Sequence, residues 1–203
     1  ALYTAFEAFV GFTIGSVTGF LIAALFQRYV HVRRGFLPYV IASQTVPIIA
    51  VAPMIVVGMG SLGAPPWLSK SVIAAYLTFF PVVINVLRGL ESVDHDALLL
   101  MHSYAATDNQ IFRLVRLPAS VPYLFTALKI AATASIIGAI IGELPVGSTR
   151  GIGVQIVVGS QYNTFNPGFL WATIIAAALL GMIAYGMVAL AERRIVRWKR
   201  PES

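Results

Sequence analysis

The sequence has 203 residues, of which 58% are hydrophobic and 11% are charged, and its mean hydropathy is +0.83. In soluble domains about a quarter of the residues are charged, so this composition excludes an ordinary soluble enzyme and indicates that lipid surrounds much of the chain. The chain has no cysteine, which excludes disulfides, thiolate metal sites and cysteine nucleophiles. The net charge of +6 arises from basic residues at the ends of apolar runs, so we expect no nucleic-acid binding.

Five apolar runs are candidates for membrane spans. In chain order they cover residues 4–26, 37–58, 72–87, 121–141 and 169–190. Most come close to the roughly 20 residues that a spanning helix needs, and the third is the shortest. The first run is too long for a signal peptide and lacks a small-residue cleavage pattern. Because backbone groups in hydrocarbon must be bonded internally, we predict an all-α polytopic membrane helix bundle, forming a single domain over residues 1–203.

The basic residues predict the orientation of these spans. Three segments on one side of the membrane are basic, with Arg28, Arg33 and Arg34 in the first, Arg88, Arg113 and Arg116 in the second, and Arg193, Arg194, Arg197, Lys199 and Arg200 in the third. The opposite connections hold only Lys70 and Arg150. The positive-inside rule therefore places the three basic segments in the cytoplasm and the amino end outside. A first helix that begins outside often follows another, so we expect a sixth span upstream of Ala1.

Small residues and prolines within the spans predict how the helices pack. Residues that recur every four positions are Gly11, Gly15 and Gly19 in the first span and Ala134, Gly138 and Gly142 in the fourth. This spacing allows neighbouring backbones to approach closely. Pro47 and Pro53 in the second span and Pro81 in the third interrupt the backbone bonding. They predict kinks that either shape the bundle or belong to a transport pathway.

The long cytoplasmic connection, residues 89–120, is predicted to be an ordered helical hairpin. Asp94 or Ser92 can cap a first helix that runs to about Tyr104. Thr107 and Gln110 have the spacing of a capping box at the start of a second helix.

We expect the second helix of the hairpin to end before Pro118. Its apolar residues Ile111 and Phe112 lie beside Arg113 and Arg116, a mixture that suits either docking onto a partner or contact with the membrane interface.

The same connection carries a family resemblance. Leu99-Leu100-Met101, then Ala105, then Val115-Arg116-Leu117-Pro118 follow the spacing of the EAA motif of binding-protein-dependent ABC permeases, Glu-Ala-Ala, Gly and Ile-x-Leu-Pro. Other phrases that resemble the nitrate, sulfonate, taurine and thiamine-precursor branch of that family are Gln44-Thr45-Val46-Pro47, Ala52-Pro53, Phe80-Pro81, Arg88-Gly89-Leu90-Glu91-Ser92-Val93, Leu128-Lys129-Ile130-Ala131-Ala132 and Gly151-Ile152-Gly153. The resemblance covers nearly the whole chain. Leu99 and Ala105 depart from it, because they stand where the motif has Glu and Gly.

The resemblance implies a type I ABC importer permease in the bacterial cytoplasmic (inner) membrane. The implied partners are ABC ATPase subunits, an external solute-binding protein and a second permease subunit, either a copy or a relative. By resemblance to the family, the short helix around residues 102–112 would be the coupling helix that sits in a groove on the ATPase. That role falls here on Met101, His102, Ser103, Tyr104, Ala105, Ala106, Thr107, Asp108, Ile111 and Phe112. The contact made by the motif's Glu cannot be carried over to Leu99.

The energy source is expected on another chain. No GxxxxGK[ST] sequence occurs here, so this chain is not itself the ATP-hydrolysing enzyme. We expect it to bind no cofactor, with ATP and Mg on the partner ATPase. His95 and His102, near Asp94, fall on a shared helix face, but two histidines without a third firm ligand do not predict a metal site.

A solute pathway needs polar side chains at membrane depth. Candidates are Ser43, Gln44 and Thr45 in the second span, Thr78 and Asn85 in the third, and Thr133 and Ser135 in the fourth. Such side chains also serve to bond a neighbouring helix or their own backbone. Lys129 can reach the cytoplasmic interface or pair with an acid, and Glu143 lies at the outer end of the fourth span.

The external loop, residues 142–167, is glycine-containing and forms either a gate, a landing platform for the binding protein or an ordinary loop. Rival interpretations are a stand-alone secondary transporter or channel, which needs intramembrane charges or a repeat, and a membrane enzyme, which needs clustered His or acids. The solute stays open between anions such as nitrate or sulfonates and pyrimidine or flavin-like precursors, with residues 97–106 slightly closer to the permeases for the latter.

Overall fold

The computed structural model describes residues 1–145, 148, 150–162 and 167–196. Within these ranges the regular elements are α1 (Leu2–Arg28), α2 (Val30–Ser43), α3 (Ile48–Ser61), α4 (Pro66–Glu91), α5 (His95–Ser103), α6 (Asp108–Ile111), a π-helical turn (Phe112–Arg116), α7 (Leu117–Glu143), α8 (Ile152–Gln161) and α9 (Pro167–Ile195). The described part of the chain is entirely helical, which confirms the predicted all-α fold.

The described helices account for five membrane spans. Four are long and apolar enough to cross alone, namely α1, α4, α9 and the continuous helix Asp108–Glu143, and the bent pair α2 and α3 gives the fifth when it is counted as one broken span. The third predicted span, residues 72–87, is shorter than the helix that contains it, since α4 has 26 residues. Pro66 starts α4 at a position where its missing N–H costs no helical bond, and the polar Ser69 and Lys70 lie in the first turns.

The second predicted span, residues 37–58, is not one straight helix. The axes of α2 and α3 differ by 96° across the break. Pro47 precedes α3 with φ −70° and ψ 101°, and its ring disfavours helical geometry in the residue before it. The hydroxyl of Tyr76 donates to the carbonyl of Ser43 at the end of α2. Pro53 lies inside α3 without dividing it, so the bend is localised at Pro47.

The core consists of α1, α4 and α7, and glycines set the distance between them. A Cβ placed on Gly11 would lie 2.4 Å from the Cβ of Ala74, and one on Gly15 would lie 1.7 Å from the hydroxyl of Thr78. These contacts advance in the same direction along both helices, so α1 and α4 are parallel. The predicted packing role of the first glycine stripe is therefore confirmed.

The second stripe, on α7, also packs on α4. A Cβ on Gly138 would lie 2.6 Å from the Cα of Ala74, and one on Gly142 would lie 3.0 Å from the Cα of Lys70. These contacts run in opposite directions along the chain, so α7 is antiparallel to α4. Ala134 is only half-buried.

Helix α9 lies on the flank of this core, and none of its residues is buried. Near its cytoplasmic end, Glu192 accepts a hydrogen bond from the ammonium of Lys129 on α7, with an N–O distance of 2.7 Å. Lys129 therefore pairs with an acid, one of the two possibilities that the sequence left open.

The hairpin continues into the membrane without a break. The sequence predicted that the second hairpin helix ends before Pro118, and this was wrong. The N–H of Leu117 donates to the carbonyl of Phe112, five residues earlier, so the backbone widens into a π-helical turn. Pro118 then occupies the first turn of α7, where its missing N–H interrupts no α-helical bond.

Candidate functional site

The cytoplasmic hairpin, defined here as residues 94–116, is built from two capped helices. Asp94 precedes α5, and its carboxylate accepts a hydrogen bond from the N–H of Asp96 at 3.4 Å. Thr107 precedes α6, and its N–H donates to the side-chain oxygen of Gln110 at 2.8 Å, while the N–H of Gln110 donates to the Thr107 hydroxyl. These bonds confirm the predicted caps. The caps could be predicted from the sequence because each bond joins residues only two or three positions apart.

The turn between the two helices depends on one residue. Ala105 has φ +54°, a left-handed conformation in which a Cβ is unfavourable. The N–H of Ala106 closes the turn by donating to the carbonyl of Met101 at 3.1 Å. The family motif has Gly at this position, and the backbone geometry gives the physical reason for that preference.

The hairpin exposes a large apolar surface, which we call the docking face. Leu99 is 54% exposed, Leu100 is 57% exposed and Tyr104 is 75% exposed. Ile111 is 4% exposed, so it anchors the hairpin from inside instead of adding to this surface. Apolar side chains this exposed outside a membrane span indicate a contact with another molecule.

One hydrogen bond holds the hairpin against α4, and an ion pair beside it holds α4 against α2. The guanidinium of Arg116 donates to the carbonyl of Leu90 at the end of α4, with an N–O distance of 3.1 Å. Arg33 on α2 forms an ion pair with Glu91 at the end of α4. The docking face is therefore attached to α4 and, through α4, to α2.

The remaining coupling residues lie on or beside the docking face. Those that are exposed are His102, Ser103, Thr107 and Asp108, and those that are half-buried are Met101, Ala106 and Phe112. The imidazole Nδ1 of His102 lies 2.7 Å from the carbonyl oxygen of Leu98, and the hydroxyl of Ser103 donates to the carbonyl of Leu100. The structure brings all ten predicted coupling residues together in one hairpin, and their contact with an ATPase stays a prediction.

The predicted pathway residues are distributed over several surfaces. Most donate to a backbone carbonyl three or four residues earlier in their own helix: Ser43 to Val40, Thr45 to Ala42, Thr78 to Ala75, Asn85 to Pro81, Thr133 to Ile130 and Ser135 to Ala132. Gln44 is exposed at the bend between α2 and α3.

Within this set, Thr78 is fully buried between α1 and α4, while Thr133 and Ser135 line separate cavities beside α9. The structure does not gather the set around one cavity, and contact of its members with solute stays a prediction.

A second site lies at the outer end of the bundle, where three charged side chains from three helices meet. Glu7 on α1 is 2% exposed, Lys70 on α4 is 5% exposed and Glu143 on α7 is 0% exposed. The ammonium of Lys70 lies 3.2 Å from Oε1 of Glu7. Glu143 lies beside this pair, since a Cβ on the neighbouring Gly142 would lie 3.0 Å from the Cα of Lys70. Buried charges are costly unless they are paired, so we call these three residues the outer cluster and expect them to have a role.

The outer cluster binds the backbone that leads into α8. Oε2 of Glu143 accepts a hydrogen bond from the N–H of Gly153, with an N–O distance of 2.6 Å. The hydroxyl of Thr4 accepts a hydrogen bond from the N–H of Ile152 at 2.9 Å. The start of α8 is therefore bonded to both α1 and α7.

Two glycines make room for the Glu143 carboxyl group. Gly151 has φ +128°, and a Cβ there would lie 2.1 Å from both Cδ and Oε1 of Glu143. A Cβ on Gly153 would lie 2.5 Å from the carbonyl oxygen of Ile140 and 2.7 Å from the Cβ of Glu143. The Gly-Ile-Gly phrase thus has a physical reason, since side chains at either glycine would displace α8 from the bundle.

A cavity of about 500 Å³ lies beside the outer cluster. Its polar lining includes Tyr3, Glu7, Ser69, Lys70 and Arg150. The Arg150 guanidinium lies over the ring of Tyr3, with its carbon 5.1 Å from the ring centroid, and also donates to the Tyr3 hydroxyl.

The sequence interpretation assigned no role to Glu7 or Lys70. An ionisable residue inside an apolar run was the available signal, because such residues are rarely tolerated there without a partner. The partner itself was not predictable, since it lies on a different helix.

Comparisons with known proteins identify the family of the chain. The family model described as "Binding-protein-dependent transport system inner membrane component" matches residues 15–197. The formylaminopyrimidine transport permease protein ThiX of Halalkalibacterium halodurans is 31% identical over 194 residues, which cover 95% of this chain and 74% of that protein. The riboflavin transport system permease protein RibX of Chloroflexus aurantiacus is 27% identical over 172 residues, which cover 83% of this chain and 62% of that protein.

A solved structure supports the fold. A chain in a crystal structure of an amino acid ABC transporter with histidines superposes with a TM-score of 0.75 at 19% identity, covering 96% of this chain and 92% of that chain. The family match extends over most of the chain and includes the docking hairpin, α7 and the Gly-Ile-Gly phrase. The chain therefore belongs to the family of binding-protein-dependent transport system inner membrane components and is a multi-pass permease component of the ABC importer type.

Proposed function

We propose that this chain passes a small polar solute across the bacterial cytoplasmic (inner) membrane, receiving it from an external binding protein and using ATP hydrolysis on a separate subunit. The observation that carries the proposal is the docking face, an exposed apolar surface on the cytoplasmic hairpin. A stand-alone transporter needs no such surface, whereas a permease driven by another protein does.

The mechanism follows from how the hairpin is attached. The docking face is fixed to α4 by the Arg116 contact and to α7 by helical continuity, so a force on the hairpin acts on two core helices. An ATPase that binds two arrangements of the hairpin with different affinity would shift the bundle between an outward-open and an inward-open state. ATP and Mg bind to the ATPase in this scheme, and a second permease subunit completes the pathway.

We further infer that the solute is a nitrogen heterocycle of the pyrimidine or flavin-like kind. The formylaminopyrimidine and riboflavin transport functions of ThiX and RibX support this class, whereas other relatives are permeases for sulfonates and nitrate. The binding protein is expected to select the solute first. Calorimetric titration of the cognate binding protein with an aminopyrimidine, riboflavin, taurine and nitrate would decide between these classes, and binding of taurine or nitrate alone would refute the heterocycle assignment.

The central test is association with the candidate ATPase in nanodiscs. Wild-type protein is expected to bind the ATPase and to raise its turnover when loaded binding protein is added. Ala105→Glu places a charge on the docking face, and an unpaired charge in an interface costs about 2 kcal/mol, which is roughly a thirtyfold loss of affinity.

Gln155→Glu on α8 serves as the matched control. Gln155 is exposed and lies away from the hairpin, so this substitution adds the same charge at a site that the ATPase is not expected to contact. Equal affinity in Ala105→Glu and Gln155→Glu would remove the hairpin as the docking site. Absence of binding in wild type would contradict the importer proposal and favour a transporter that acts alone.

A further inference from the structure

Helix α8 is held at the outer mouth by hydrogen bonds at its first turn and by packing on α9 near its other end. The N–H groups of Ile152 and Gly153 are bonded to Thr4 and Glu143, and Gly159 near the other end of α8 packs on Leu170 of α9. The side chain that meets α8 from the core is Glu143, and its carboxyl group fills the space beside Gly151 and Gly153. Removing that group leaves the first turn of α8 with one bonded N–H fewer and an unfilled space.

The outer cluster is incompletely satisfied. Oε2 of Glu7 and Oε1 of Glu143 are buried and have no hydrogen-bond donor among the described residues. The ammonium of Lys70 pairs with Oε1 of Glu7, and Glu143 lies next to Gly142, which packs on Lys70. A partly satisfied buried network is less stable than a complete one, so this cluster holds α8 with less free energy than full pairing would give.

The position of the outer cluster beside a cavity suggests a function for its incomplete hydrogen bonding. The cavity of about 500 Å³ beside the cluster is lined by Glu7, Lys70 and Arg150, at the side where an incoming solute arrives if the predicted orientation holds. Ser148 and Arg150, which precede α8 in the chain, also line this cavity, so a movement of the start of α8 would change its lining. A marginal attachment at such a place suits a segment that must open and close.

We propose that Glu143 is the positioning residue of the outer mouth: its carboxyl group fixes the start of α8 against the bundle, and release of that bond accompanies opening to the outside. This inference rests on the proposed import function. Lys70 and Glu7 act through Glu143, by holding its carboxyl group in place beside Gly153.

The test measures the mobility of α8 directly. The chain has no cysteine, so Gln155→Cys on the exposed side of α8 gives a single site for a spin label. With Glu143→Ala the mobile fraction of the label is expected to rise about tenfold, the change expected when an opening equilibrium loses one charge-assisted hydrogen bond. Glu143→Gln retains a carbonyl oxygen for the Gly153 N–H, so the label is expected to stay immobile.

Transport and ATPase assays on the same variants test whether the position of α8 affects import. Glu143→Ala in the complete nanodisc complex is expected to raise ATPase turnover without binding protein and to lower solute uptake, with Glu143→Gln close to wild type. Glu192→Ala is the matched control, because Glu192 is another acid paired with a lysine, but at the cytoplasmic end. A label that stays immobile in Glu143→Ala would overturn the proposal, as would loss of uptake with equal mobility in all variants.

A second variant tests the same proposal if the Glu143→Ala protein does not fold or assemble into the complex. Lys70→Met leaves the two carboxyl groups without their cation, so the label on α8 is expected to become mobile, and adding Glu143→Gln is expected to reverse this. Unchanged mobility in Lys70→Met would overturn the proposal. Label mobility is read without any substrate, so failure of wild-type transport would reject the import function while leaving the position of α8 measurable.

Discussion

Ala105 occupies a backbone conformation that glycine adopts at no steric cost. Its φ of +54° closes the turn that presents Tyr104 to the cytoplasm. The residue is an alanine where the family motif has Gly, so the turn is formed against the preference of its own side chain. The neighbouring caps at Asp94 and Thr107 keep the turn closed.

Replacement of Ala105 by Gly is predicted to stabilise the hairpin. Relief of left-handed strain contributes roughly 1 kcal/mol, and the greater freedom of Gly in the unfolded chain offsets about half of it. Hydrogen exchange at the Ala106 N–H is then expected to slow by about twofold. Ala106→Gly is the control, since Ala106 does not have positive φ, and exchange should become faster there. Faster exchange in Ala105→Gly would contradict this account.

Residue-level chemistry was predictable where the partner is close in sequence. The capping box at Thr107 and Gln110 follows from a spacing of three residues and is present. The pairing of Lys129 with Glu192 was open, because the acid lies on a helix whose position depends on the whole bundle. The meeting of Glu7, Lys70 and Glu143 could not be foreseen for the same reason.

At the scale of helices, the packing of α1 on α4 depends on glycines, whose lack of a side chain lets the two backbones approach closely. Gly15 allows the hydroxyl of Thr78 and the carbonyl of Ala75 to occupy the place of a Cβ. The stripe of glycines predicted this contact, because small residues at every fourth position lie on one face. The 96° bend between α2 and α3 was predicted only as a kink at Pro47, since proline determines where a helix ends but not where the next helix points.

Gly15→Ala is predicted to separate α1 from α4 and to destabilise the protein by about 2 kcal/mol, within the range for an overpacked core. The added Cβ would lie 1.7 Å from the Thr78 hydroxyl and 2.7 Å from the carbonyl oxygen of Ala75. Trimming Thr78 therefore would not restore stability fully. The unfolding midpoint in detergent measures the effect. Gly181→Ala on α9, where a Cβ meets open space, should be neutral or slightly stabilising, and equal losses in both variants would refute the packing argument.

On the scale of the whole molecule, three helices form a core and the other elements are attached to it at few points. The α1, α4 and α7 helices hold most of the buried residues, whereas α9 has none. The fold class and the number of apolar spans followed from hydropathy, whereas the side of the membrane on which each loop lies stays a prediction from the basic residues. Helix α8, inside the loop predicted for residues 142–167, was not predicted, because its ten residues are too few to give a span signal.

The Lys129–Glu192 pair is predicted to hold the cytoplasmic end of α9 on the core. Both side chains are about one-fifth exposed, at 21% and 19%, so solvent screens the pair only in part. Lys129→Met and Glu192→Gln should each destabilise the protein, and a double-mutant cycle should give a coupling of about 1 kcal/mol. The exchanged pair, Lys129→Glu with Glu192→Lys, should recover most of the loss. Strictly additive single effects would show that the pair does not hold α9.

The continuous helix Asp108–Glu143 contains 36 residues. At 1.5 Å per residue it is a lever arm about 54 Å long, with the docking hairpin at one end and Glu143 at the other. A tilt of about 10° around its midpoint would displace each end by about 5 Å in opposite directions, more than the length of the Glu143–Gly153 hydrogen bond. A modest swing of the hairpin at the cytoplasmic surface is thus geometrically sufficient to pull the Glu143 carboxyl group away from α8.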